Sequence, residues 1–451
     1  MDLTELLLQP EGKALELERD LSSPAGVLRT VVAFANTSGG TVLIGVEDGT
    51  RTVRGVTDPL ALEERVASLV SDSILPRVLP DIGLLAFRNT HVVAVRVYPS
   101  AARPHYLARS GPAEGAYVRV GSTNRRAGPE MQAEMRRFAR GEAFDEQPMP
   151  ELAADAVDFD AAASAFEDVR KLERADLDTL RLTVRHQGHR VPTVGGVLLF
   201  GRQRLRHFPD AWVQAGRFAG LDRSRIVDQT EIVSHPSAAV PEAVAFVEKH
   251  GLHGASIGAV RRTSVRSLPP VAVREALVNA LVHADYAQHG APIRVALFDD
   301  RLEIENPGLL TFGLTLDDLP RGVSKLRNRV LGRTFKELGL VEQWGSGVQR
   351  MIGACREAGL PAPEWEEIGT RLRVTLRTGV NGTVALDPKD QTILDALGAT
   401  GGLRTREVAD AVGLSARATR QRLSRLVGLG EVHEIGSGPN DPQRRYFRVG
   451  G

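Results

Sequence analysis

The sequence predicts a multidomain protein of mixed α/β and α+β folds, and three properties of the chain support this prediction. Its 451 residues are enough for about two to four domains that each bury a core. A composition of 42% hydrophobic and 25% charged residues is that of ordinary globular proteins. Apolar residues recur at the ~3.6-residue period of helices in some segments and form short hydrophobic runs typical of strands in others.

Charge, cysteine content and hydropathy exclude several classes of protein. The formal net charge of +1 excludes a globally polycationic nucleic-acid binder, so any basic surface must be local. Cys355 is the single cysteine, which excludes an intramolecular disulfide and a cysteine-cluster metal site. No apolar run approaches the ~18 residues of a membrane span, and the early residues show no targeting signal. We therefore predict a cytoplasmic protein without a membrane partner.

The first predicted domain covers residues 1–140. Residues 31–49 indicate a buried helix, a Gly39-Gly40 turn and a hydrophobic strand that ends in an acidic turn. Near the far end of the domain, residues 117–124 read Tyr-Val-Arg-Val-Gly-Ser-Thr-Asn. Together these motifs resemble the Schlafen/AlbA-type domain, a nucleic-acid-binding fold, over about residues 8–130. The resemblance implies that DNA is a partner, and it leaves RNA open.

Two basic residues of this domain are candidates for nucleic-acid contacts. Arg119 lies within the Tyr-Val-Arg-Val strand, and Arg125 follows the Gly-Ser-Thr-Asn turn. Guanidinium groups beside such a turn would contact phosphates through charge and hydrogen bonding. Two solvated surface residues would have the same appearance in the sequence, so both interpretations stay open here.

Acidic residues of the same domain raise a second interpretation. Some Schlafen relatives are nucleases, and that resemblance would gather Glu11, Glu16 and Asp48 around a divalent metal. Leu17 and Glu18, however, replace the Phe and Lys of the Glu-Phe-Lys pattern that bacterial relatives usually show. The loss of that lysine counts against a nuclease.

Residues 141–160 are predicted to be a linker, and residues 161–378 to form a second domain. The linker prediction depends on an acidic, Ala-rich composition that includes Pro148 and Pro150. In the second domain, residues 274–286 predict a helix that places Glu275 and Asn279 one turn apart on the same side. Burying a carboxylate and an amide on an otherwise apolar helix costs free energy, because both groups lose their contact with water. A carboxylate that can orient or deprotonate water, beside an amide oxygen that can bind Mg²⁺, suits a nucleotide site.

Two further motifs follow in order along this domain. Residues 293–305 predict a β-hairpin turned at Asp299-Asp300, which runs directly into Asn306-Pro307-Gly308. Residues 342–347 read Glu-Gln-Trp-Gly-Ser-Gly and precede a predicted helix that starts near Val348. Glycines just before a helix let backbone N–H groups face an anion. This order of motifs resembles the divergent GHKL-type ATPase domain over residues 265–378.

The GHKL resemblance implies ATP and Mg²⁺ as cofactors and assigns roles to individual residues. Glu275 would be the catalytic base, and Asn279 would bind the metal. Asn306 stands where most GHKL proteins read adenine with Asp, although Asn-Pro-Gly is the form that this subfamily normally shows. Residues 309–343 would form a lid, whose cations would meet the terminal phosphates on closure or else remain a solvated loop. The other implied nucleotide-binding residues are Gly308, Lys325, Arg327, Gly345, Ser346 and Gly347.

The third predicted domain covers residues 387–451 and resembles a winged helix-turn-helix. Three predicted helices with a tight turn at 413–415 are followed by a β-ribbon through 432–435 and 446–449. The third helix would place Arg417, Arg420 and Gln421 in the major groove. The remaining candidate DNA contacts are Arg425, nearer the backbone, and Arg444 and Arg445 on the wing. A protein-docking helical module is the alternative.

The whole chain resembles bacterial Schlafen/AlbA-domain ATP-binding transcriptional regulators. It lacks the Gly-x-x-x-x-Gly-Lys-[Ser/Thr] motif, which argues against helicase motor activity. We predict an ATP-binding, DNA-binding transcriptional regulator whose DNA binding responds to nucleotide, with weak Mg²⁺-dependent ATPase activity left open. A metal-dependent nuclease or defence factor, and a GHKL-type ATPase that remodels a protein partner, are the alternatives. The sequence leaves a homodimer open.

Overall fold

The computed structural model describes residues 3–9, 11–251, 255–258, 261–264, 268–341, 345–378, 388–398, 402–428, 431–436, 441 and 443–448. For residues 255–258, 261–264, 388 and 428 it describes the backbone only. The chain divides into two compact units. One contains Met1–Ala127 and Gly382–Gly451, and the other contains Gly128–Asn381. The predicted α/β and α+β multidomain fold is confirmed.

The N-terminal domain is built on a four-stranded sheet with helices on both faces. Its helices are α1 (Leu3–Leu8), α2 (Pro24–Asn36), α3 (Pro59–Ser73) and α4 (Gly111–Gly115). Its strands are β1 (Leu15–Glu18), β2 (Gly40–Ile44), β3 (Ile74–Leu75), β4 (Asp81–Phe87), β5 (Thr90–Val97), β6 (Tyr106–Leu107), β7 (Tyr117–Val120) and β8 (Thr123–Arg126). The sheet order is β1-β2-β5-β4, with β1 and β2 parallel.

The side chains of β2 point alternately to the two faces of this sheet, and both faces are buried. Val42 and Ile44 pack in the core beneath α2 and α3, whereas Leu43 packs with Leu6 and Leu7 of α1 on the opposite face. A strand that is covered on both sides has a continuous apolar run, as the sequence shows at 42–46. The predicted helix, Gly-Gly turn and strand of residues 31–44 are confirmed.

The second unit is a six-stranded mixed sheet with one large helical layer. Its helices are α5 (Pro129–Ala139), α6 (Phe159–Ala165), α7 (Asp176–Thr179), α8 (Val194–Phe200), α9 (Arg204–His207), α10 (Pro236–Lys249), α11 (Pro270–His283), α12 (Arg329–Glu337) and α13 (Gly347–Glu357). Its strands are β9 (Thr183–His186), β10 (His189–Pro192), β11 (Val213–Phe218), β12 (Ile226–Ile232), β13 (Ala255–Gly258), β14 (Arg261–Ser264), β15 (Ile293–Leu297), β16 (Arg301–Pro307), β17 (Glu364–Ile368) and β18 (Arg371–Arg377). The order of the large sheet is β12-β11-β15-β16-β18-β17.

Helix α11 is the central element of this unit. Pro270 occupies its first turn, where a missing N–H costs nothing, and an Ala, Val and Leu sequence then continues to His283. Leu277 and Leu281 are buried in the core with residues of β15, β16 and α13. The predicted hairpin of β15 and β16 is confirmed, with Arg294 paired to Glu305 across it.

Residues 141–160 are ordered within the second unit, which differs from the predicted linker. Asp145 is fully buried in a 3-10 turn, Phe144–Glu146. Pro148 and Val157 form bridges with Thr193 and Gly201, at the two ends of α8. The acidic, proline-containing composition suggested a solvated segment, but its few apolar and acidic side chains have partners that are distant in sequence. The compact unit accordingly begins at Gly128 rather than near residue 160.

The C-terminal residues have a winged-helix arrangement. Its helices are α14 (Pro388–Gly398), α15 (Thr405–Val412) and α16 (Ala416–Gly428), and its strands are β19 (Leu403–Arg404), β20 (Val432–Ile435) and β21 (Arg445–Arg448). Gly413 ends α15 in the left-handed conformation, with φ 65°, which makes the tight turn into α16. Leu423 and Leu426 of α16 are buried against α14.

The wing packs against the N-terminal domain within the first unit. Ile435 and Phe447 share a core cluster with α1 and with the outer face of the four-stranded sheet. The backbone N–H of Val53 donates to the Gly436 carbonyl at 3.3 Å, and Arg88 forms an ion pair with Asp441 at 2.9 Å. One face of the wing is therefore used for packing within the chain.

Candidate functional site

A cavity of about 390 Å³ lies between α11, the end of β16, the segment that follows it, and the start of α13. Six of the nine residues predicted for the nucleotide site line it. They are Glu275, Asn279, Asn306, Lys325, Gly345 and Gly347. Gly308, Arg327 and Ser346 do not line this cavity.

Glu275 lines the cavity, and two arginines hold its side chain in place. Its side chain is 4% exposed, and it accepts from Arg350 of α13 at 3.0 Å and from Arg274 at 3.4 Å. These two guanidinium groups offset the cost of burying the charge. Arg350 is a site residue that the sequence reasoning missed. It follows Gly347 by three residues, one helical turn, and that spacing was the available signal.

The glycines before α13 bring the backbone close to Glu275 and Asn279. Gly345 has a φ of 66°, a left-handed conformation that favours glycine. A Cβ at Gly347 would lie 2.6 Å from a carboxylate oxygen of Glu275 and 3.8 Å from the amide nitrogen of Asn279. Ser346 is the N-cap residue of α13. The start of an eleven-residue helix therefore faces the predicted polar pair, an arrangement that suits phosphate. Residues 342–344, which include Trp344 of the predicted motif, lie outside the described residues.

Asn306 and Gly308 occupy different places at the end of β16. Asn306 is buried, and its amide nitrogen donates to the carbonyl of Pro307 at 3.1 Å, so the side-chain oxygen is the group that can accept from a base. Gly308 has a φ of 99°. A side chain there would occupy the space of the Arg327 guanidinium and approach Asp285. The structure thus uses Gly308 to accommodate Arg327 rather than to line the cavity.

The segment predicted to be a long polar lid contains regular structure. A 3-10 turn spans Leu316–Asp318, and α12 spans Arg329–Glu337 with Val330, Leu331 and Phe335 buried. Three backbone N–H groups at the start of α12 donate to the Asp145 carboxylate at 2.6 to 3.0 Å. The pKa of Asp145 is raised to about 6, because its burial outweighs these hydrogen bonds.

The two predicted cations of the lid have different environments. Lys325 is exposed, lines the cavity and lies with its Nζ 5.8 Å from the ring centre of Phe138. Arg327 is 8% exposed, forms an ion pair with Glu134 at 3.1 Å and donates to the Leu309 carbonyl at 2.6 Å. Burial raises the pKa of Glu134 to about 7, although the nearby Arg327 lowers it. Arg327 therefore ties α5 to the lid, and we withdraw it as a direct phosphate contact.

Arg119 also lies in a position that differs from its predicted role. Its side chain is 1% exposed, forms a close ion pair with Glu16 and donates to the Asn124 side chain at 3.0 Å. Because a buried, paired guanidinium cannot reach a nucleic-acid backbone, we remove Arg119 from the DNA-contacting set. Arg125, on β8, is exposed and remains a candidate for DNA contact.

The carboxylates considered for a nuclease site already interact with other protein groups. Glu16 pairs with Arg119, and Glu11 accepts from the backbone N–H of Leu17 at 2.8 Å. Burial and a hydrogen bond with Asp48 raise the pKa of Glu11 to about 7. Within the residues that the structure describes, no group of three or more His, Cys, Asp or Glu side chains is placed to hold a metal ion.

On the winged helix, the predicted groove-reading side chains are exposed. Arg417, Arg420 and Gln421 share the outer surface of α16. Arg425 is half exposed and lies 3.4 Å from the Asp390 carboxylate, which also accepts from Arg422 at 2.6 Å.

The two predicted wing contacts differ in exposure. Arg444 forms an ion pair with Glu434 at 2.8 Å, with its side chain 20% exposed. Arg445 is exposed, and its guanidinium lies 3.4 Å from the Gly402 carbonyl. Of the pair, Arg445 is therefore the residue better placed to contact phosphate.

Comparison with known proteins matches three family models along the chain. Residues 11–128 match "Schlafen, AlbA_2", residues 290–376 match "Putative ATP-dependent DNA helicase recG C-terminal", and residues 386–430 match "Winged helix-turn-helix DNA-binding". The chain thus combines a Schlafen/AlbA_2 domain, an ATPase-like domain of the RecG C-terminal type and a winged-helix DNA-binding domain. The architecture predicted from the sequence is confirmed. None of the described helices has the length and apolar character needed to cross a membrane.

Solved structures that are similar to the chain include the following two. The DIP2311 protein from Corynebacterium diphtheriae is 21% identical, with 92% of this chain and 76% of that chain covered and a TM-score of 0.41. The N-terminal domain of a RecG-related protein from Nitrosomonas europaea is 28% identical, with 28% of this chain and 93% of that chain covered and a TM-score of 0.24. No curated protein matches the chain.

Proposed function

We propose that this chain is a transcriptional regulator that binds ATP with Mg²⁺ in its ATPase-like domain and binds DNA through its winged helix. The observation that carries the proposal is the meeting of Glu275, Asn279 and the Gly345–Gly347 turn in one cavity. A carboxylate, an amide and the start of a helix have few other reasons to converge on a concave site. The winged-helix match supplies the DNA-binding part.

The side chains of the cavity fit a nucleotide with its metal. The Asn279 side chain lies beside the helix start and carries an amide oxygen, a hard ligand, so Mg²⁺ and phosphates would be held together there. A bound Mg²⁺ would neutralise phosphate charge. Glu275 can orient a water, and Arg350 and Arg274 fix the direction of its carboxylate. We expect slow hydrolysis at most, since the Glu275 carboxylate must leave one of its two guanidinium partners before it can contact a water.

The DNA side of the proposal depends on α16. Arg417, Arg420 and Gln421 are exposed on a helix of the type that enters the major groove. Arg425 and Arg445 would contact the backbone, and Arg125 would add a phosphate contact from the N-terminal domain. With one face of the wing packed on that domain, we expect the two domains of the first unit to act on DNA together.

DNA titrations at fixed salt with ATP, with ADP and without nucleotide test the proposal, after a selection from random DNA has supplied the preferred site. If ATP changes DNA affinity, DNA must change ATP affinity by the same factor, and couplings of ~1–3 kcal/mol are typical. We expect Asn279→Ala to lose Mg²⁺-dependent ATP binding and to leave nucleotide-free DNA binding intact. Three identical DNA affinities would contradict nucleotide control, and unchanged ATP binding in Asn279→Ala would contradict the site.

A further inference from the structure

A second cleft, of about 1010 Å³, adjoins the nucleotide cavity at the side of α12. The two spaces share lining residues, among them Ser324, Lys325, Lys336 and Gly345. Gly345 belongs to the turn that faces Glu275 and Asn279. The cleft therefore opens from the part of the cavity where phosphates would lie.

One face of α12 turns towards this cleft. Arg329, Gly332, Arg333 and Lys336 line it, and their spacing of three, one and three residues places them on one side of a helix. Residues on the opposite side of α12, such as Phe335, are buried in the core. The helix thus separates an apolar face from a cationic face, and the cationic face is directed at a concave space.

The cleft has an excess of positive charge, with six cationic and three acidic side chains in its lining. Glu134 pairs with Arg327, and Glu146 pairs with Arg329 at 3.2 Å. Arg333 and Lys336 have no acidic partner among the described residues. Two cations on one helical face beside a cavity, neither of them paired with a described carboxylate, are the chemistry that binds a phosphate group.

The helix end does not supply this anion affinity. The first N–H groups of α12 already donate to the buried Asp145 carboxylate. Any attraction of the cleft for anions must therefore come from its side chains, and substitution of those side chains should remove it.

We propose that this cleft is a polyphosphate site and that Arg333 and Lys336 contact the terminal phosphates of the nucleotide held in the neighbouring cavity. The proposal rests on the proposed function for its nucleotide and adds the basis for preferring a triphosphate. Base and sugar would occupy the cavity near Asn306, and the phosphate chain would pass the Gly345–Gly347 turn into the cleft. Each further phosphate then gains contacts that AMP cannot make.

The test is calorimetric titration of the full chain with ATP, ADP, AMP and inorganic tripolyphosphate. In Arg333→Ala/Lys336→Ala we expect at least about tenfold weaker ATP binding, a smaller loss for ADP and none for AMP. The charge-retaining variant Arg333→Lys/Lys336→Arg should recover most of the ATP affinity. Arg356→Ala removes an exposed cation from α13 that lines neither space, so it should bind all four ligands like the wild type.

The outcomes separate this proposal from the nucleotide assignment. The proposal of a shared phosphate site is supported if tripolyphosphate competes with ATP and if its binding is lost in the double variant. Equal losses for ATP and AMP, or no loss for ATP, would overturn the proposal while leaving nucleotide binding in place. Tripolyphosphate binding without competition would overturn the assignment of the cleft to the nucleotide's own phosphates. A wild-type chain that binds none of the four ligands overturns both proposals.

Discussion

Replacing Gly347 with alanine tests whether phosphates lie against Glu275 and Asn279. A Cβ at this position would stand 2.6 Å from the Glu275 carboxylate, whereas ordinary van der Waals contact begins at 3.4 Å. The carboxylate cannot retreat freely, because Arg350 holds it at 3.0 Å. Overpacking of this kind costs about 1–3 kcal/mol. If the strain is relieved only when the loop shifts away from the ligand, ATP binding should weaken by about 5-fold to 150-fold.

Gly353 in the same helix provides a matched control. A Cβ there meets nothing within 4 Å, so Gly353→Ala should gain up to about 1 kcal/mol of helix stability and leave ATP affinity unchanged. Calorimetry gives the two affinities, and thermal melting reports whether each variant is folded. If the Gly347→Ala variant melts like the wild type and binds ATP with wild-type affinity, the turn and Glu275 do not form one nucleotide site.

Three further predictions concern other parts of the chain. Replacing Arg417 and Arg420 together should abolish sequence preference in a competition between specific and random DNA, since each bidentate base contact provides about 1–3 kcal/mol of discrimination, and should leave ATP binding unchanged. Glu16→Ala removes the counter-ion of buried Arg119 and should lower the unfolding free energy by about 3 kcal/mol in urea titrations, so lost nuclease activity in that variant would not identify a catalytic carboxylate. Because burial raises the pKa of Glu134 from 4.5 to about 7, the folded chain binds a proton more tightly than the unfolded chain between these values. The contribution of Glu134 to stability should fall as pH rises through that window, and Glu134→Gln should flatten the stability difference between pH 5 and pH 8.

The elements that could be predicted from sequence are those whose signal is local. The helix that carries Glu275 and Asn279, the hairpin before Asn306 and the turn at Gly345 each depend on a few consecutive residues with a strong period or turn preference. Their convergence was inferred by resemblance, and in the structure residues from all three elements line one cavity. The spacing from Gly347 could have placed Arg350 near the site, but no local pattern could show that it pairs with Glu275, which lies on a different helix.

Charge alone was a poor guide to which arginines meet a ligand. Arg119 precedes a Gly-Ser-Thr-Asn turn and Arg327 lies in the polar lid, which suggested solvent exposure for both. Each is instead buried against a carboxylate from a distant segment. In the first pair, 103 residues separate the partners. A buried ion pair needs both partners to arrive at one place, which is a property of the tertiary fold. Arg333 and Lys336 went unassigned for a different reason, because the spacing of Val330, Leu331 and Phe335, a local signal for α12, was not used.

The contacts of residues 128–146 bear directly on how nucleotide could control DNA binding. Helix α5 begins at Pro129, three residues after β8 ends at Arg126, and it holds the lid through Glu134 and Arg327. Asp145, in the 3-10 turn that follows, fixes the start of α12. A movement of the lid over phosphates would therefore act on contacts made by a segment that is covalently continuous with the N-terminal domain. The Glu134–Arg327 pair joins the lid, which nucleotide would move, to α5, which continues from the N-terminal domain. Nucleotide binding would therefore affect the N-terminal domain through this ion pair. If nucleotide control operates through it, Glu134→Gln should reduce the factor by which ATP changes DNA affinity. Because Glu134 lines the cleft beside the cavity, ATP affinity without DNA is measured in the same variant, and a loss of ATP binding alone would contradict a role in coupling.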